Sequence, residues 1–425
     1  MSELRFLGGC NEVGRSAVLL DTGSEKLLFD YGVKLNAPEA QNGKDGRTPE
    51  RTNLDIDAAL LTHCHLDHSG LIPALYNRGY HGNVYSTATT LDLSKILWQD
   101  SLKLAKIKGK EKDFLEEDLK KLDRRSRRVT YGQTFPVGNS NVSVYDAGHV
   151  PGCASFYVDT GDRTVLYTGD INTIQTRLMN GLTPNYPDVD VLITESTYSQ
   201  QNHPPREELE TNFKQKVRER INRDGTVVVP AFAIGRSQEL LLVLEDLDLD
   251  VPVYLDGMAV EATKKILQYP EFLRNPEGLR KAYHDVKSLS NDDQRDKALS
   301  GPGVIVTTSG MLSGGPFKYY IQKIHSNQNC TITMTGYQVE GTAGRRLLET
   351  GVYESGDLRY EVDCDYELFD FSAHIGRDEL FNFIDEVDPE KVVAMHGDEI
   401  DKFTTELEEK GYKAEGPENG ETLRI

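Results

Sequence analysis

The stretch LLTHCHLDHSG, residues 60–70, places three histidines and an aspartate within six positions. Packing gives no reason to crowd His63, His65, Asp67 and His68 together, so a shared ligand is the physical alternative. IDAALLTH reads as a buried strand ending at the histidines, and its period of two points His63 and His65 to one face. Cys64, between them, faces the other way and reads as a small buried residue. Asp67 and His68 follow in the turn, where the chain can aim them at a second point. Four ligands from so short a loop suit two adjacent metals better than one. Imidazole with carboxylate is the donor set of zinc in hydrolases, with manganese or iron also compatible. SGLIPALYNRG then reads as a helix with Ser69 as N-cap and Gly79 as its stop.

Outward from this stretch, Glu195 in ITES ends a strand as an N-cap or ion pair would, and four further strand ends offer metal candidates: His149 in DAGHVPG, Asp170 in YTGD, His374 in FSAH and His396 in MHGD. Each alone reads as an ordinary core or surface side chain. Their occurrence together with HxHxDH makes a metal site the better reading, because loops at strand ends gather functional groups in α/β proteins.

From about residue 203 the pattern changes. PPREELETNFKQKVRERINRDG reads as an amphipathic helix. The strand–turn–helix plan then recurs in TVVVPAFAIGRSQELLLVLEDL, VPVYLDGMAVEATKKILQ, GVIVTTSGMLSGGPFKYYIQKI and CTITMTGYQVEGTAGRRLLE, an α/β module of parallel-sheet type. The last sixty residues return to the first style. Residues 101–128, SLKLAKIKGKEKDFLEEDLKKLDRRSRR, read as helical; mixed charge fits a solvated face, and the basic tail KKLDRRSRR is also able to meet phosphates.

The 425 residues carry a net charge of −20, which excludes nucleic-acid binding through a uniformly basic surface but not through a local groove. The five cysteines are scattered without a CxxC pair, so neither a disulfide framework nor a thiolate zinc site is expected, and a reducing cytoplasm fits. The sequence offers neither an apolar membrane span nor a signal-peptide core at its N-terminus.

In order and spacing, THCHLDHSG, GHVPG and YTGD resemble the metallo-β-lactamase superfamily. ESTY, HPPRE, PAFAIGRSQELL, TTSGMLSGG, GYQVEGTAGR, FSAH and MHG resemble its β-CASP nucleases. Among these, THCHLDHSG and FSAH are more similar to the endonuclease subunit of the cleavage and polyadenylation specificity factor and its archaeal and bacterial relatives than to RNase J. Without an added N-terminal KH region, the chain is similar to the short archaeal or bacterial form.

The resemblance implies an α/β fold: an αββα sandwich over 1–198 and 367–425, interrupted by an α/β β-CASP insertion over 199–366. It implies two Zn²⁺ per chain, one held by His63, His65 and His149, the other by Asp67, His68 and His396, with Asp170 bridging. Asp30, in LLFDYG, would support the ligands from behind. Glu195 and His374 match the motifs assigned to protonating the leaving group. Here HIGRDEL departs from the family: Gly376 stands where an acid is common, with Asp378 as the residue able to compensate.

The implied activity is hydrolysis of single-stranded RNA, mainly endonucleolytic with 5′ to 3′ exonuclease action as a second mode, in a cytoplasmic protein and in a homodimer. The insertion, facing the metals, would form a groove that admits single strands. Arg236 and Ser237 in GRSQE, Ser309 and Ser313 in SGMLSGG, and Lys318, Arg345 and Arg346 are the candidates for holding phosphates there. Two competing readings are a small-molecule metallo-hydrolase, such as a thioesterase or lactonase, and an RNA-binding scaffold without activity.

Overall fold

In the computed structural model, which describes residues 2–34, 46–51 and 55–425, the chain divides into two compact units. The first comprises residues 1–174, 181–202 and 374–425, the second residues 175–180 and 203–373.

Two seven-stranded sheets form the first unit. One runs in the order Thr422–Arg424, Glu3–Gly8, Ala17–Asp21, Lys26–Phe29, Ala58–Leu60, Asn83–Thr87, Ser126–Val129. The other runs Ala414–Glu415, Lys391–Met395, Val191–Glu195, Thr164–Tyr167, Ala154–Asp159, Ser140–Asp146, Thr134–Val137. Alternation with period two sorts each strand's side chains between two layers. Leu4, Phe6, Val18, Leu20 and Phe29 of the first sheet pack against Val142, Val144, Phe156, Val158 and Ile193 of the second. The opposite residues of the first sheet, such as Ala17, Leu19 and Leu28, bury helical Leu75, Trp98 and Leu122. Leu166, Leu192, Val392 and Ala394 cover the outer face of the second sheet with Leu380, Phe381, Phe403 and Leu407 from its helices. The layers are therefore helix, sheet, sheet, helix.

The second unit centres on six strands, all parallel, in the order Lys287–Leu289, Val253–Asp256, Gly303–Thr307, Thr226–Pro230, Cys330–Met334, Asp365–Leu368. Its inner strands Gly303–Thr307, Thr226–Pro230 and Cys330–Met334 are buried throughout, as a parallel sheet covered on both sides requires, while the edge strands Lys287–Leu289 and Asp365–Leu368 are more polar and more exposed. Val227 and Val229 pack towards Phe213, Leu240 and Leu244, and Val228 and Ile332 towards Phe317, Tyr320 and Leu347. The insertion expected over 199–366 differs at its far end, because Asp365–Leu368 pairs in register with Cys330–Met334 and carries residues 367–373 with it. Segment 175–180 also belongs here: the carboxylate of Glu239 accepts the backbone N–H groups of Arg177 at 3.0 Å and Leu178 at 2.7 Å.

Local expectations differ in three places. The helix after the histidine stretch is two pieces, Leu66–Ser69 and Ile72–Asn77, and Ser69 is not a cap: its hydroxyl donates to the carbonyl of Cys64 at 2.8 Å. The charged stretch is the end of a long helix, Ala88–Ile107, then Glu116–Arg125, then a strand, Ser126–Val129, because parallel pairing with Asn83–Thr87 overrides helical propensity there. The strand leading to the histidines pairs only over Ala58–Leu60, after which Thr62 turns to Asp30. All five cysteines are buried thiols, and burial pushes the Cys64 thiol well up. No helix among the described residues is long and apolar enough to cross a membrane.

Candidate metal centre

Strands Ala58–Leu60, Ser140–Asp146, Thr164–Tyr167, Val191–Glu195 and Lys391–Met395 of the first unit are each followed or ended by a candidate side chain. Their carboxyl ends deliver His63, His149, Asp170, Glu195 and His396 to one place. Three groupings of ligand atoms, each within 4.8 Å, result: His63, His65, His149 with Asp170; Asp67, His68 with His396; and Asp170, Glu195 with His374. All nine metal and catalytic candidates of the sequence converge here.

In the first grouping, His63 Nε2 lies 3.2 Å and His149 Nε2 lies 3.3 Å from His65 Nδ1. Asp170 Oδ2 is 3.5 Å from His63 Nε2 and 3.8 Å from His149 Nε2. Tetrahedral zinc with bonds of about 2.0–2.1 Å sets its ligand atoms roughly 3.3 Å apart, so these spacings fit a metal. In the second grouping, Asp67 Oδ2 is 3.5 Å from His396 Nε2, and the other oxygen of Asp170, Oδ1, is 3.2 Å from His68 Nε2. The two oxygens of Asp170 thus serve the two groupings separately, as a bridging carboxylate would.

His68 Nε2, His396 Nε2 and Asp170 Oδ1 are buried without a hydrogen-bond partner, as is His65 Nε2, whose ring turns Nδ1 towards His63 and His149. Native proteins rarely leave such atoms unsatisfied. Burial and its histidine neighbours hold the His63 pKa well below the ordinary imidazole range, leaving it a neutral donor. Against the cost of burial, the surrounding imidazoles, His68 first, hold the Asp170 carboxyl well below its usual range. Burial opposes it, but the charges of Asp170 and Asp30 hold the His68 ring well above the ordinary imidazole range. The cluster thus sets buried carboxylates among imidazoles, a donor set that a divalent cation satisfies.

Beneath the ligands sits Asp30, fully buried. It accepts from Thr62 N and Thr62 Oγ1, each at 2.8 Å, and from the Tyr167 hydroxyl at 3.1 Å. Its 2.7 Å contact with His68 Nδ1 fixes the proton on that nitrogen and turns Nε2 to the centre. Asp30 and His396 both hold left-handed backbone, φ 53° each, a conformation that non-glycine residues adopt at a cost and that clusters at functional sites. Gly32 is required for close approach: a Cβ there would stand 1.7 Å from the Asp67 carbonyl oxygen. Thr62, Tyr167, Gly32 and Thr197, whose hydroxyl lies 3.4 Å from His396 Nδ1, were not singled out from the sequence. All four lie inside quoted motifs, Thr62 in THCHLDHSG, Tyr167 in YTGD, Gly32 in LLFDYG and Thr197 in ESTY, the one available signal.

Glu195 is buried and receives Ile171 N–H at 2.8 Å on Oε1. Both its oxygens face His374 Nδ1, at 3.1 and 2.9 Å. Burial lowers the His374 pKa, but the charges of Glu195 and Asp170 outweigh it and raise the group to about 9. Asp378 is engaged elsewhere: it accepts from Asn202 Nδ2 at 2.9 Å, and Gly376 serves as the N-cap of helix Arg377–Val387.

The phosphate candidates lie in the second unit. Ser237 is buried, and its N–H and hydroxyl both go to the Phe232 carbonyl, at 3.1 and 2.7 Å. Ser309 Oγ accepts Gly314 N–H, and Ser313 Oγ lies between Met311 O and Ala343 N. Arg236 is buried, Lys318 half-buried. Arg345 and Arg346 pair with Glu349 and Glu354.

Two sheets between helical layers, with a histidine and carboxylate centre at one strand edge, define a metallo-hydrolase. The chain belongs to the metallo-β-lactamase superfamily, whose pattern matches residues 10–231. Within it the chain is a β-CASP protein: the Beta-Casp domain matches residues 237–347, and the Zn-dependent metallo-hydrolase RNA specificity domain residues 359–417. It is similar to the Probable RNase MJ4 of Methanocaldococcus jannaschii, 37% identical with all of both chains covered. It is 35% identical to RNase aCSPSF2 of Saccharolobus solfataricus, covering 99% of this chain and 85% of that one. The Transcription termination factor FttA of M. jannaschii is 35% identical, over 93% of this chain and 66% of that one. A crystal structure of a protein of unknown function from Enterococcus faecalis shares the fold, with TM-score 0.64, 15% identity and 99% of both chains covered.

Proposed function

We propose that the chain is a cytoplasmic ribonuclease that hydrolyses phosphodiester bonds of single-stranded RNA, mainly within the strand, with two zinc ions in its centre. The observation that carries this reading is the pair of ligand groupings joined through the two oxygens of Asp170, with the Glu195–His374 pair beside them. The RNA specificity domain and the relatives named as RNases support RNA as the substrate.

His63, His65 and His149 would hold one ion and Asp67, His68 and His396 the other. When bound, two such ions supply a nucleophile from water at neutral pH and neutralise charge on the phosphoryl oxygens. The chain's own residues do the rest. Asp30 keeps His68 in the tautomer that offers Nε2 to the centre. Glu195 takes His374 Nδ1–H and so orients the ring, leaving Nε2 to give a proton to the departing sugar oxygen. Ile171 N–H fixes one Glu195 oxygen, so the orienting carboxylate is itself held.

The test pairs metal content with cleavage of single-stranded RNA labelled separately at each end, for wild type and an Asp67→Ala/His68→Ala chain. The expected result is about two zinc per chain and internal cuts that the double variant loses. Nucleotides released singly from the 5′ end would replace the internal mode by an exonucleolytic one. Bound metal without RNA cleavage would overturn the reading.

A further inference from the structure

In a chain of net charge −20, residues 103–128 hold eleven Lys and Arg against six Asp and Glu, a local balance of +5. The fold makes one surface of them. Lys95 in helix Ala88–Ile107 meets Asp123 in helix Glu116–Arg125 at 2.6 Å, and Arg128 reaches Asp92 at 3.5 Å. Only residues 108–115 separate the two helices, and Lys106, Lys108, Lys110 and Lys112 lie exposed at the end of the first and in the connection. On helix Glu116–Arg125, Lys121 and Arg125 stand four residues apart on one exposed face, with Arg124 beside them. Apart from Lys121, which meets Asp118, none of these seven cations has an acidic partner among the ion pairs of the described residues.

The strip leads to the metal centre. Ser126–Val129 pairs with Asn83–Thr87, with Arg128 opposite Ser86. Thr87, the next residue, donates its hydroxyl to the Gly152 carbonyl at 2.6 Å, three residues past the ligand His149. From Thr87 the helix Ala88–Ile107 carries the strip outwards by about 1.5 Å per residue, on the order of 30 Å in all.

We propose that these two helices, their connection and the adjoining strand bind the phosphate backbone of single-stranded RNA some nucleotides away from the bond being cut, an inference that rests on the ribonuclease reading. A polyanion approaching a strongly acidic chain is repelled everywhere except where the sign reverses. Screening over about 8 Å makes that local sign, not the total, what a bound strand feels. Phosphate contacts of this kind carry affinity and not sequence.

The test uses the full chain in two variants: one with Lys106→Gln, Lys108→Gln, Lys110→Gln, Lys112→Gln, Arg124→Gln and Arg125→Gln, the other with the four lysines replaced by Arg. Binding of a fluorescent, unstructured RNA of about thirty nucleotides is measured in EDTA across salt concentrations, and cleavage is measured with zinc on that RNA and on one of about six nucleotides. In the glutamine variant the long RNA is expected to bind about tenfold or more weakly, with the slope of log affinity against log salt flattened by about 0.7 for each phosphate that is no longer neutralised. Cleavage of the short RNA is expected at the wild-type rate, which also shows that the variant is folded, and the arginine variant is expected to bind as wild type. An unchanged affinity and salt slope for the long RNA overturns the proposal and leaves the strip to an acidic protein. So does an equal loss on both RNAs, or a loss without a change in slope. If the long RNA follows the expected pattern but wild type cuts neither RNA, the ribonuclease reading fails while the strip stands.

Discussion

Strand ends of both units carry buried polar side chains, but they are used in opposite ways. In the first unit, His68 Nε2, His396 Nε2 and Asp170 Oδ1 are buried without hydrogen bonds, within the groupings of ligand atoms described above. At the strand-to-helix turn of the second unit, Ser237 gives both its donors to Phe232 O, and Gln238 Nε2 donates to Ala233 O and Thr263 Oγ1, with Gln238 Oε1 left as an acceptor without a partner. A polar group left unsatisfied in a protein interior costs about 1–3 kcal/mol, so it persists where something else repays it. The first pattern belongs to a site shaped for a cation, the second to a turn shaped for its own backbone.

The largest test of that contrast is Asp170→Asn. If Asp170 spans two ions, losing its charge should reduce RNA cleavage to background and lower the zinc content of the purified chain, read by elemental analysis. Two full equivalents of zinc with normal cleavage would remove the bridging role. His374→Ala separates chemistry from metal binding in the same place. Its zinc content should remain that of wild type while kcat falls by roughly 10²–10⁴-fold, the range of a lost general acid. An unchanged kcat in a folded His374→Ala chain would leave Glu195 and His374 as a structural ion pair.

How far this centre was legible follows from how its residues are strung. HxHxDH, DAGH, YTGD and MHGD each keep a ligand in a short string at the end of an apolar run, so the donors could be picked out before their geometry was known; Asp30, in LLFDYG, was named only through the family resemblance. Their convergence could not, because it depends on sheet order. His396 reaches Asp67 only because Lys391–Met395 pairs with Val191–Glu195 across two hundred positions of chain. Thr62 and Tyr167 were missed for another reason: a hydroxyl at a strand end is common, and only the buried Asp30 carboxylate gives it a task. The parallel module of the second unit was legible from its repeating strand–turn–helix plan. Its serines were singled out because a glycine-rich turn into a helix offers backbone donors to a phosphate; the carbonyl that each hydroxyl faces is set only by the folded turn. The strand Ser126–Val129, written in arginines, was hidden by composition that favours a helix.

Asp30 sharpens the contrast from below, since it is buried and fully employed yet serves the metal side. Asp30→Asn keeps the shape but loses the charge that holds His68 Nδ1–H. Partners of this kind are worth about 10–100-fold in metal affinity, so zinc should leave the variant at a correspondingly lower chelator concentration. Retention of zinc at wild-type chelator concentrations would reduce Asp30 to a packing role.

The smallest expected effect tests the other side. In Ser237→Ala the Phe232 carbonyl keeps the backbone N–H of residue 237, so only the hydroxyl's bond is lost. That bond is worth about 0.5–1.5 kcal/mol, to be read as a small fall in denaturant midpoint. RNA affinity and its salt slope should stay at wild-type values, because neither donor of Ser237 faces outward. A loss of affinity out of proportion to the loss of stability would show that the turn opens to hold a phosphate. The second unit would then also contain a site shaped for a ligand, hidden by a hydrogen bond that RNA replaces.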